Sequence, residues 1–500
     1  MSEQNNERET ARGWTISLIA KYVASFTGVE TPISLVWNWQ KRTETLNKGA
    51  RRRFPDPIGT DDKGQKVFNP LEVIEWLQNN DKISAKFDIH PDLWQLVNEF
   101  RGTTINTQFI ELILDSFLND GKNTSNEAQT KPDLTIPTKN GQLQIEVKEF
   151  RQKVKQFDRR TRKTLLEELQ RFFLADKLHG AFHTPQRLAT LAARLLNAQP
   201  GSTVYDPCAG TGRLLAAVAD EANKAGSIRL VGKELNELTS RLGNAMISVS
   251  DAAPGSGITC GDSLTFDPQA VGIADAVISH YPLRTKINPE EFRSMGRDPR
   301  FVYTKPTTSG DVAWIQVLLA ALKPTGGRAV VIGSLFLTSH RQSDKLRDAL
   351  LRRRHIEAVV TLAKDRQEYG NGLPPTLLLL DTDPERSFRR KQVLFVDVAA
   401  TNDSAQAQSA DEFVIQLVKA HRSGELSDSR AQHPIVSWRV AHHQEIAAKK
   451  NLLSPSSYLD QLTQTSSPDD LEERIRSLSR QLAATRRQLH EFESKRKDSK

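Results

Sequence analysis

The stretch that decides the fold is VYDPCAGTGRLL, residues 204–215. An apolar strand is predicted to end at Asp206, and the Gly210-Thr211-Gly212 turn leads at once into a helix. Glycines at such a turn remove side-chain bulk, so that a ligand can lie against bare backbone at a helix N-terminus. Alone this is a weak sign, because any tight strand-to-helix turn favours glycine.

Two acidic residues that follow the next two predicted strands strengthen the interpretation. Glu234 ends the second strand, where a carboxylate is suited to bind the paired hydroxyls of a ribose. Asp262 follows the third strand in ITCGDSL, where a carboxylate can accept a hydrogen bond from an adenine amino group. The three motifs together predict a site for a ligand that contains ribose and adenine.

From about residue 180 the sequence alternates between predicted strands and predicted helices. The strands are expected at 203–205, 228–231, 257–260, 275–279, 328–332, 356–361 and 376–380. The helices are expected, among others, at 213–223, 237–249, 311–322 and 342–353. This alternation predicts an α/β fold with a doubly wound parallel sheet. Residues 400–430 are polar and are predicted to be loop.

With these motifs in order, the chain resembles a known family. AFHTPQRLATLAARLL (181–196), DPCAGTGRLL, Glu234 and GDSL resemble the cofactor-binding half of N6-adenine DNA methyltransferases, closest to the modification subunits of type I restriction systems. GDVAWIQVLLAALKPTGGRAVVIGSLFL, LRDALLRRRHIEAVVTLA, YGNGLPPTLLLLDT and LLSPSSYL continue the similarity, which covers about 175–460. The resemblance implies a Rossmann-like S-adenosylmethionine-dependent methyltransferase fold.

The resemblance also implies roles for particular residues toward S-adenosylmethionine. Phe182, Thr184 and Pro185 would flank its methionine end. A cradle around the cofactor would be formed by Asp206, Pro207, Gly210 and Gly212. Glu234 would hold the ribose and Asp262 the adenine.

The sequence departs from the family at HYPL, residues 280–283, which follows the predicted strand ADAVIS. The family has Asn or Asp, Pro, Pro and an aromatic residue there. Its polar side chain and the following carbonyl accept both hydrogens of the target amino group, and the aromatic ring stacks on the flipped base. Neutral His280 offers one acceptor, and Leu283 offers no stacking plane.

The two remaining positions of HYPL bear on the same question. Tyr281 lacks the backbone restriction of proline, although its ring is a candidate for stacking one position away, and Pro282 matches the family. We therefore expect a protein that binds DNA and S-adenosylmethionine, with methyl transfer impaired or lost and a recognition or regulatory role. The alternative is an active adenine-N6 DNA methyltransferase of a restriction-modification or phage-defence system.

The first 85 residues are predicted to form a winged helix-turn-helix. Two short helices over 15–42, an extended FPDP, the DDKG turn and a helix from Asn69 onward give the element order of small excisionase-like DNA-binding domains. The DNA contacts predicted here are Trp39, Lys41, Arg42, Arg51, Arg52, Arg53 and Lys63. A three-helix module without nucleic acid is the competing interpretation.

Residues 86–175 are predicted to be a mainly helical connecting domain with one β-hairpin around Lys139-Asn140-Gly141. Asp133, Glu146 and Lys148 have the spacing of a metal-dependent nuclease, in which two carboxylates hold Mg²⁺. Such a nuclease needs further strands that this helix-rich region does not supply, so a plain hairpin is favoured. No other metal site is predicted.

The rest of the predicted organisation is a methyltransferase-like domain over 176–400, an extension over 401–465 and a coiled-coil helix over 466–500. Leu471, Ile475, Leu478 and Leu482 begin a heptad seam in that helix, which predicts a partner such as a specificity subunit or a second copy.

Composition and charge indicate the partner and the compartment. A net charge of +8 with basic clusters at 41–53, 148–163 and 352–355 favours double-stranded DNA as partner. The polar N-terminus is unlike a signal peptide, and no apolar run reaches the ~18 residues of a membrane span. With only two cysteines, the reducing cytoplasm is the expected compartment.

Overall fold

The structure of the chain is a computed structural model that divides into two compact units, Met1–Pro282 and Leu283–Lys500. It describes residues 14–27, 31–43, 53–61, 64–80, 82–83, 107–118, 134–138, 141–145, 157–175, 184–222, 226–283, 285–288, 290, 293, 295–333, 338–363, 374–389, 391–401, 403–426 and 432–459. The predicted coiled coil over 466–500 lies outside these residues.

The N-terminal part of the first unit has the predicted order of two helices, a hairpin and a third helix. The elements are β1 (Trp14–Thr15), α1 (Ile16–Thr27), α2 (Ile33–Thr43), β2 (Pro57–Thr60), β3 (Lys66–Phe68) and α3 (Pro70–Asn79). The short strand β1 was not predicted; it pairs antiparallel with β3, so that the sheet has the order β1-β3-β2. Aromatic rings fill the core, and Phe54 of FPDP lies 4.9 Å from Trp76 and 5.4 Å from Phe68 between ring centroids.

The connecting region contains α4 (Thr107–Leu118), β4 (Leu134–Thr138), β5 (Gly141–Ile145) and α5 (Arg159–Ala175). The predicted hairpin is confirmed: β4 and β5 pair antiparallel from Leu134↔Ile145 to Thr138↔Gly141. Asp133, Glu146 and Lys148 lie outside the described residues. Helix α5 shares one apolar core with the N-terminal elements and α4, to which Leu166 contributes from α5.

The rest of the first unit is α6 (Gln186–Leu196), β6 (Thr203–Asp206), α7 (Arg213–Ala222), β7 (Arg229–Glu234), α8 (Glu237–Ser248), β8 (Gly257–Cys260) and β9 (Ala276–Ser279). The four strands are parallel in the order β9-β6-β7-β8, as predicted for an α/β fold. Because parallel strands end at the same edge, Asp206, Glu234 and Ser279 are brought to one side of the sheet.

The second unit contains α9 (Gly310–Ala320), β10 (Arg328–Gly333), α10 (Asp344–Arg352), β11 (Ile356–Leu362), β12 (Thr376–Asp381), α11 (Pro384–Arg389), β13 (Gln392–Val398), α12 (Ser404–Ser423), β14 (Val436–His442) and α13 (His443–Ala448). Its strands have the order β14-β13-β11-β12-β10. A wholly parallel sheet was wrong here, because β12 is antiparallel to β10 and β11, and β14 to β13. The run of buried leucines in β12 would look the same in a parallel and in an antiparallel strand, so the sequence could not reveal the direction of the strand.

The prediction of a loop over 400–430 was also wrong, because α12 occupies most of it. The Asp403 side chain accepts hydrogen bonds from the backbone N–H groups of Ala405 and Gln406 and caps the helix, which ends before Gly424 at φ +76°. The buried face consists of Ala407, Ala410, Val414, Leu417 and Val418, and two of these five are small. Alanines among Ser and Gln gave too weak an apolar pattern to predict the helix from the sequence.

The described residues contain neither a membrane-spanning helix nor a cluster of metal-ligating side chains. No helix in the described ranges is long and apolar enough to cross a membrane. Within the same ranges no group of three or more His, Cys, Asp or Glu side chains is arranged to hold a metal ion.

Candidate functional site

Asp206, at the carboxyl end of β6, is a buried carboxylate with one engaged and one open oxygen. Its Oδ1 accepts hydrogen bonds from the backbone N–H of Cys208 at 2.9 Å and from the Ser279 hydroxyl at 2.8 Å. Its Oδ2 is buried and has no hydrogen-bond partner among the described residues. Burial raises the pKa of Asp206 to about 7, and the negative charge of Glu234 acts in the same direction. Because a buried acceptor without a partner is unfavourable, Oδ2 is suited to bind a cationic or hydrogen-bond-donating group of a ligand.

The glycine turn after β6 is held by Glu234 and by close packing on α8. Glu234 Oε2 accepts from the Gly210 N–H at 3.0 Å, and its Oε1 accepts from the Asn236 N–H at 2.9 Å. Gly212 has φ +75°, and a Cβ there would lie 3.0 Å from the Gly243 carbonyl oxygen. Each Glu234 oxygen keeps acceptor capacity, so this carboxylate can still bind a pair of hydroxyls.

Asp262 lies after β8 at the same edge and is exposed. Its Oδ1 accepts from the Leu264 N–H at 2.9 Å and its Oδ2 from the Thr265 hydroxyl at 3.1 Å, which fixes the carboxylate direction. Two apolar side chains at this edge are also exposed: Leu235, directly after β7, to 72%, and Phe266, four residues after Asp262, to 44%. An acceptor beside apolar surface has the chemistry that an adenine ring requires.

The tetrapeptide after β9 begins with a histidine that is neutral near pH 7. His280 Nδ1 lies 3.0 Å from the Thr184 hydroxyl oxygen, and burial lowers the pKa of His280 to about 4. Tyr281 is 1% exposed and therefore packs in the core instead of offering a surface to a base. Pro282 ends the first unit, and Leu283 begins the second.

The remaining expected cofactor residues are placed as follows. Pro185, next to Thr184, is the N-cap of α6. The Pro207 carbonyl accepts from the Ser263 hydroxyl at 2.7 Å, which ties the glycine turn to the segment after β8. Phe182 lies outside the described residues.

Two buried polar residues of the site were not identified from the sequence. Ser279 is fully buried and links the end of β9 to Asp206. Gln170 of α5 is also fully buried, and its Nε2 donates to the Thr211 carbonyl at 2.8 Å. No sequence motif marks Gln170, because it lies on a helix more than 30 residues before the turn that it contacts.

Four of the seven predicted DNA-contacting residues lie among the described residues of the N-terminal part. Trp39 is half-buried with its ring centroid 5.8 Å from that of Trp76, whereas Trp37, which was not among the predicted contacts, is 47% exposed. The Lys41 Nζ lies 4.5 Å from the Trp37 ring centroid, and Arg42 is exposed. Arg53 donates to Asp56 at 2.7 Å. Arg51, Arg52 and Lys63 lie outside the described residues.

The chain is similar to known proteins in sequence and in fold. The family model described as N-6 DNA Methylase matches residues 166–467, more than half of the chain. The type I restriction enzyme MjaVII methylase subunit of Methanocaldococcus jannaschii is 27% identical over 234 residues, which are 44% of this chain and 39% of that protein. The MjaVIII methylase subunit of the same organism is 25% identical over 49% of this chain and 44% of its own length. The chain therefore spans less than half of each of these curated relatives.

Solved structures show the same fold at low identity. The type I restriction-modification methyltransferase subunit from Streptococcus thermophilus has a TM-score of 0.52 and 18% identity, over 88% of this chain and 91% of that one. A structure of the type I R-M system, described for its assembly and conformational transition, has a TM-score of 0.53 and 15% identity over 82% and 85%. Since the N-6 DNA Methylase model matches more than half of its residues, the chain belongs to that family, whose cofactor is S-adenosylmethionine.

Proposed function

We propose that this protein binds S-adenosylmethionine at the strand ends of its first unit and double-stranded DNA through its N-terminal part, with methyl transfer impaired or lost. When bound, S-adenosylmethionine supplies an activated methyl group. The observation that supports the proposal is the contrast between the open, buried Asp206 carboxylate oxygen beside the glycine turn and an altered acceptor tetrapeptide. Such a protein would recognise DNA or regulate partners in a restriction-modification or phage-defence setting.

The cradle residues fit the cofactor in chemical type. The open Oδ2 of Asp206 is a buried acceptor that a ligand ammonium would satisfy. Glu234 is fixed by two backbone N–H groups and keeps acceptor capacity for the ribose hydroxyls. Asp262 is held beside exposed apolar side chains and suits the adenine.

The tetrapeptide at which the methyl-accepting base would lie supports impaired methyl transfer. For transfer, both N–H groups of the target amino group donate hydrogen bonds to two acceptors, and its nitrogen lone pair is then free to attack. His280 has two ring nitrogens, and its Nδ1 is already engaged by the Thr184 hydroxyl. At most the other nitrogen, Nε2, is left as an acceptor, and the buried ring of Tyr281 supplies no stacking plane.

The alternative of an active adenine-N6 methyltransferase has one specific observation in its favour. Because His280 is neutral near pH 7, a proton on Nδ1 donated to Thr184 would leave Nε2 as an acceptor directed away from that bond. One acceptor from His280 together with the carbonyl that follows it would reproduce the number of acceptors that the family uses.

DNA and protein partners are proposed from the N-terminal part and from the relatives. The relatives are named as type I restriction methylase subunits, and one solved structure concerns assembly of such a system. We propose that the chain binds duplex DNA with Lys41 and Arg42, and that the segment 466–500 associates with a specificity subunit or a second copy.

Labelled S-adenosylmethionine and mixed-sequence duplex DNA test the proposal. We expect the wild type to bind the cofactor without transferring label, and Asp206→Ala to lose binding. The double variant His280→Asn/Leu283→Phe restores two of the three family residues that HYPL lacks and keeps the buried Tyr281, and we expect it to gain transfer to adenine. Transfer by the wild type that disappears in His280→Ala would establish the active enzyme instead.

A further inference from the structure

One exposed side of α2 carries two large apolar side chains where a surface helix ordinarily carries polar ones. Ile33 is 55% exposed and Trp37, one turn further along, 47%, whereas Leu35 (41%) lies on the other side of the helix. Val36 and Gln40, three residues after Ile33 and Trp37, are buried, so this face borders the side of α2 that packs on the core. Exposed apolar side chains gathered on one helix mark a binding surface, since leaving them in water is unfavourable.

The neighbours of Ile33 and Trp37 on this face are polar or basic. Steps of four residues place Ile33, Trp37 and Lys41 in one row, with Ser34 and Asn38 in the adjacent row. The Lys41 ammonium lies 4.5 Å from the Trp37 ring centroid, so positive charge and apolar surface form one continuous patch. Lysine is depleted in protein–protein interfaces, which makes this mixture a poor match for a protein partner.

The same mixture matches the floor of the DNA major groove. Apolar side chains there contact the C5-methyl group of thymine, while asparagine bonds the adenine edge and lysine binds guanine or phosphate. In helix-turn-helix proteins the residues near the N-terminus of the second helix contact the bases, and Ile33 is the first residue of α2.

We infer that Ile33 and Trp37 make this protein selective for thymine, by packing against thymine methyl groups in the major groove. The inference rests on the proposed DNA binding and adds what the DNA contact recognises. Lys41 contributes phosphate attraction to the same contact. Trp39, whose ring packs near Trp76 of α3, contributes to holding α2 against the core of the N-terminal part.

The test uses the full chain and a duplex selected from a random-sequence pool. Each thymine of the selected site is replaced in turn by deoxyuridine, which removes the methyl group and keeps every hydrogen-bonding group. A methyl group is comparable to a buried methylene, so we expect about fourfold weaker binding at one or two positions. In Trp37→Ala, binding should weaken and the deoxyuridine effect at one of those positions should disappear.

Two variants serve as controls. Ile58→Ser changes an isoleucine of nearly equal exposure, 54%, that lies on β2 and not on α2, and should keep the deoxyuridine effect. Lys41→Gln should reduce the slope of log affinity against log salt by about one and also keep the effect.

Three outcomes would overturn the inference, and they separate it from the proposed function. Duplex binding that is indifferent to deoxyuridine at every position, or deoxyuridine effects that all persist in Trp37→Ala, overturns thymine selectivity alone. Absence of duplex binding overturns both. Self-association in sedimentation that Trp37→Ala abolishes shows that the α2 face binds a second copy instead.

Discussion

Asp206 should make cofactor binding depend on pH within a defined range. The pKa of Asp206 in the folded chain is about 7, against an ordinary value of 3.8. The folded apo protein therefore keeps a proton that the unfolded chain releases between these values. The contribution of Asp206 to stability is complete below about pH 4 and declines as pH rises toward 7, by about 4 kcal/mol.

A cationic ligand group beside Oδ2 reverses this shift, because an adjacent positive charge favours the carboxylate. Binding of S-adenosylmethionine should then release about one proton at pH 5.5 and about half a proton at pH 7. The affinity should rise about 15-fold over the same interval. His280 does not contribute, since its pKa is lowered to about 4.

Titration calorimetry in buffers of different ionisation enthalpy measures both quantities. Asp206→Asn should abolish the proton release, flatten the pH profile and weaken binding about 10- to 100-fold at pH 7, because a charge-assisted hydrogen bond is lost. Asp262→Asn is the matched control at the same strand edge and should keep the wild-type pH profile. A wild-type affinity that stays constant from pH 5.5 to 7, or a pH profile unchanged in Asp206→Asn, would refute the reasoning.

Three further variants examine the support of the site. Gly212→Ala places a methyl group 3.0 Å from the Gly243 carbonyl at φ +75°, and should weaken cofactor binding and destabilise the first unit by about 1–3 kcal/mol in urea unfolding; unchanged binding would contradict the packing. Gln170→Met keeps side-chain volume but removes the hydrogen bond to the Thr211 carbonyl, so cofactor affinity should fall severalfold, about 1 kcal/mol, in fluorescence titration, with the Gln170→Glu variant not restoring it. Trp14→Ala opens a cavity at a fully buried ring and should cost about 3–5 kcal/mol, and gel-shift assays should show lost duplex binding while cofactor binding persists.

Much of the first unit was predictable because its signals are local. The turn at Gly210–Gly212 requires backbone without side chains, and a carboxylate at a strand end is visible in the sequence next to that strand. The predicted strands at 203–205 and 257–260 and the hairpin around residue 140 were found within one residue of their predicted positions. Each of these features depends on neighbours within a few residues.

Features that depend on distant contacts were predicted less well. The direction of β12 was missed because a strand buried on both faces has no alternation to reveal its neighbours. Helix α12 was missed because its buried face includes alanines, whose burial only the packing partner decides. Trp37 and Trp39 look equivalent in sequence, and only the position of Trp76 decides that Trp39 is covered.

By itself the sequence determined the cofactor class, the positions of the strands before Asp206 and Asp262 and the change of the acceptor tetrapeptide to HYPL. The tertiary structure alone decided the protonation of Asp206 and of His280, because both pKa shifts come chiefly from burial. It also decided that Gln170 reaches the glycine turn, since that contact joins residues 41 positions apart. Burial and long-range contacts exist only in the folded chain, and for that reason no pattern of neighbouring residues could have shown them.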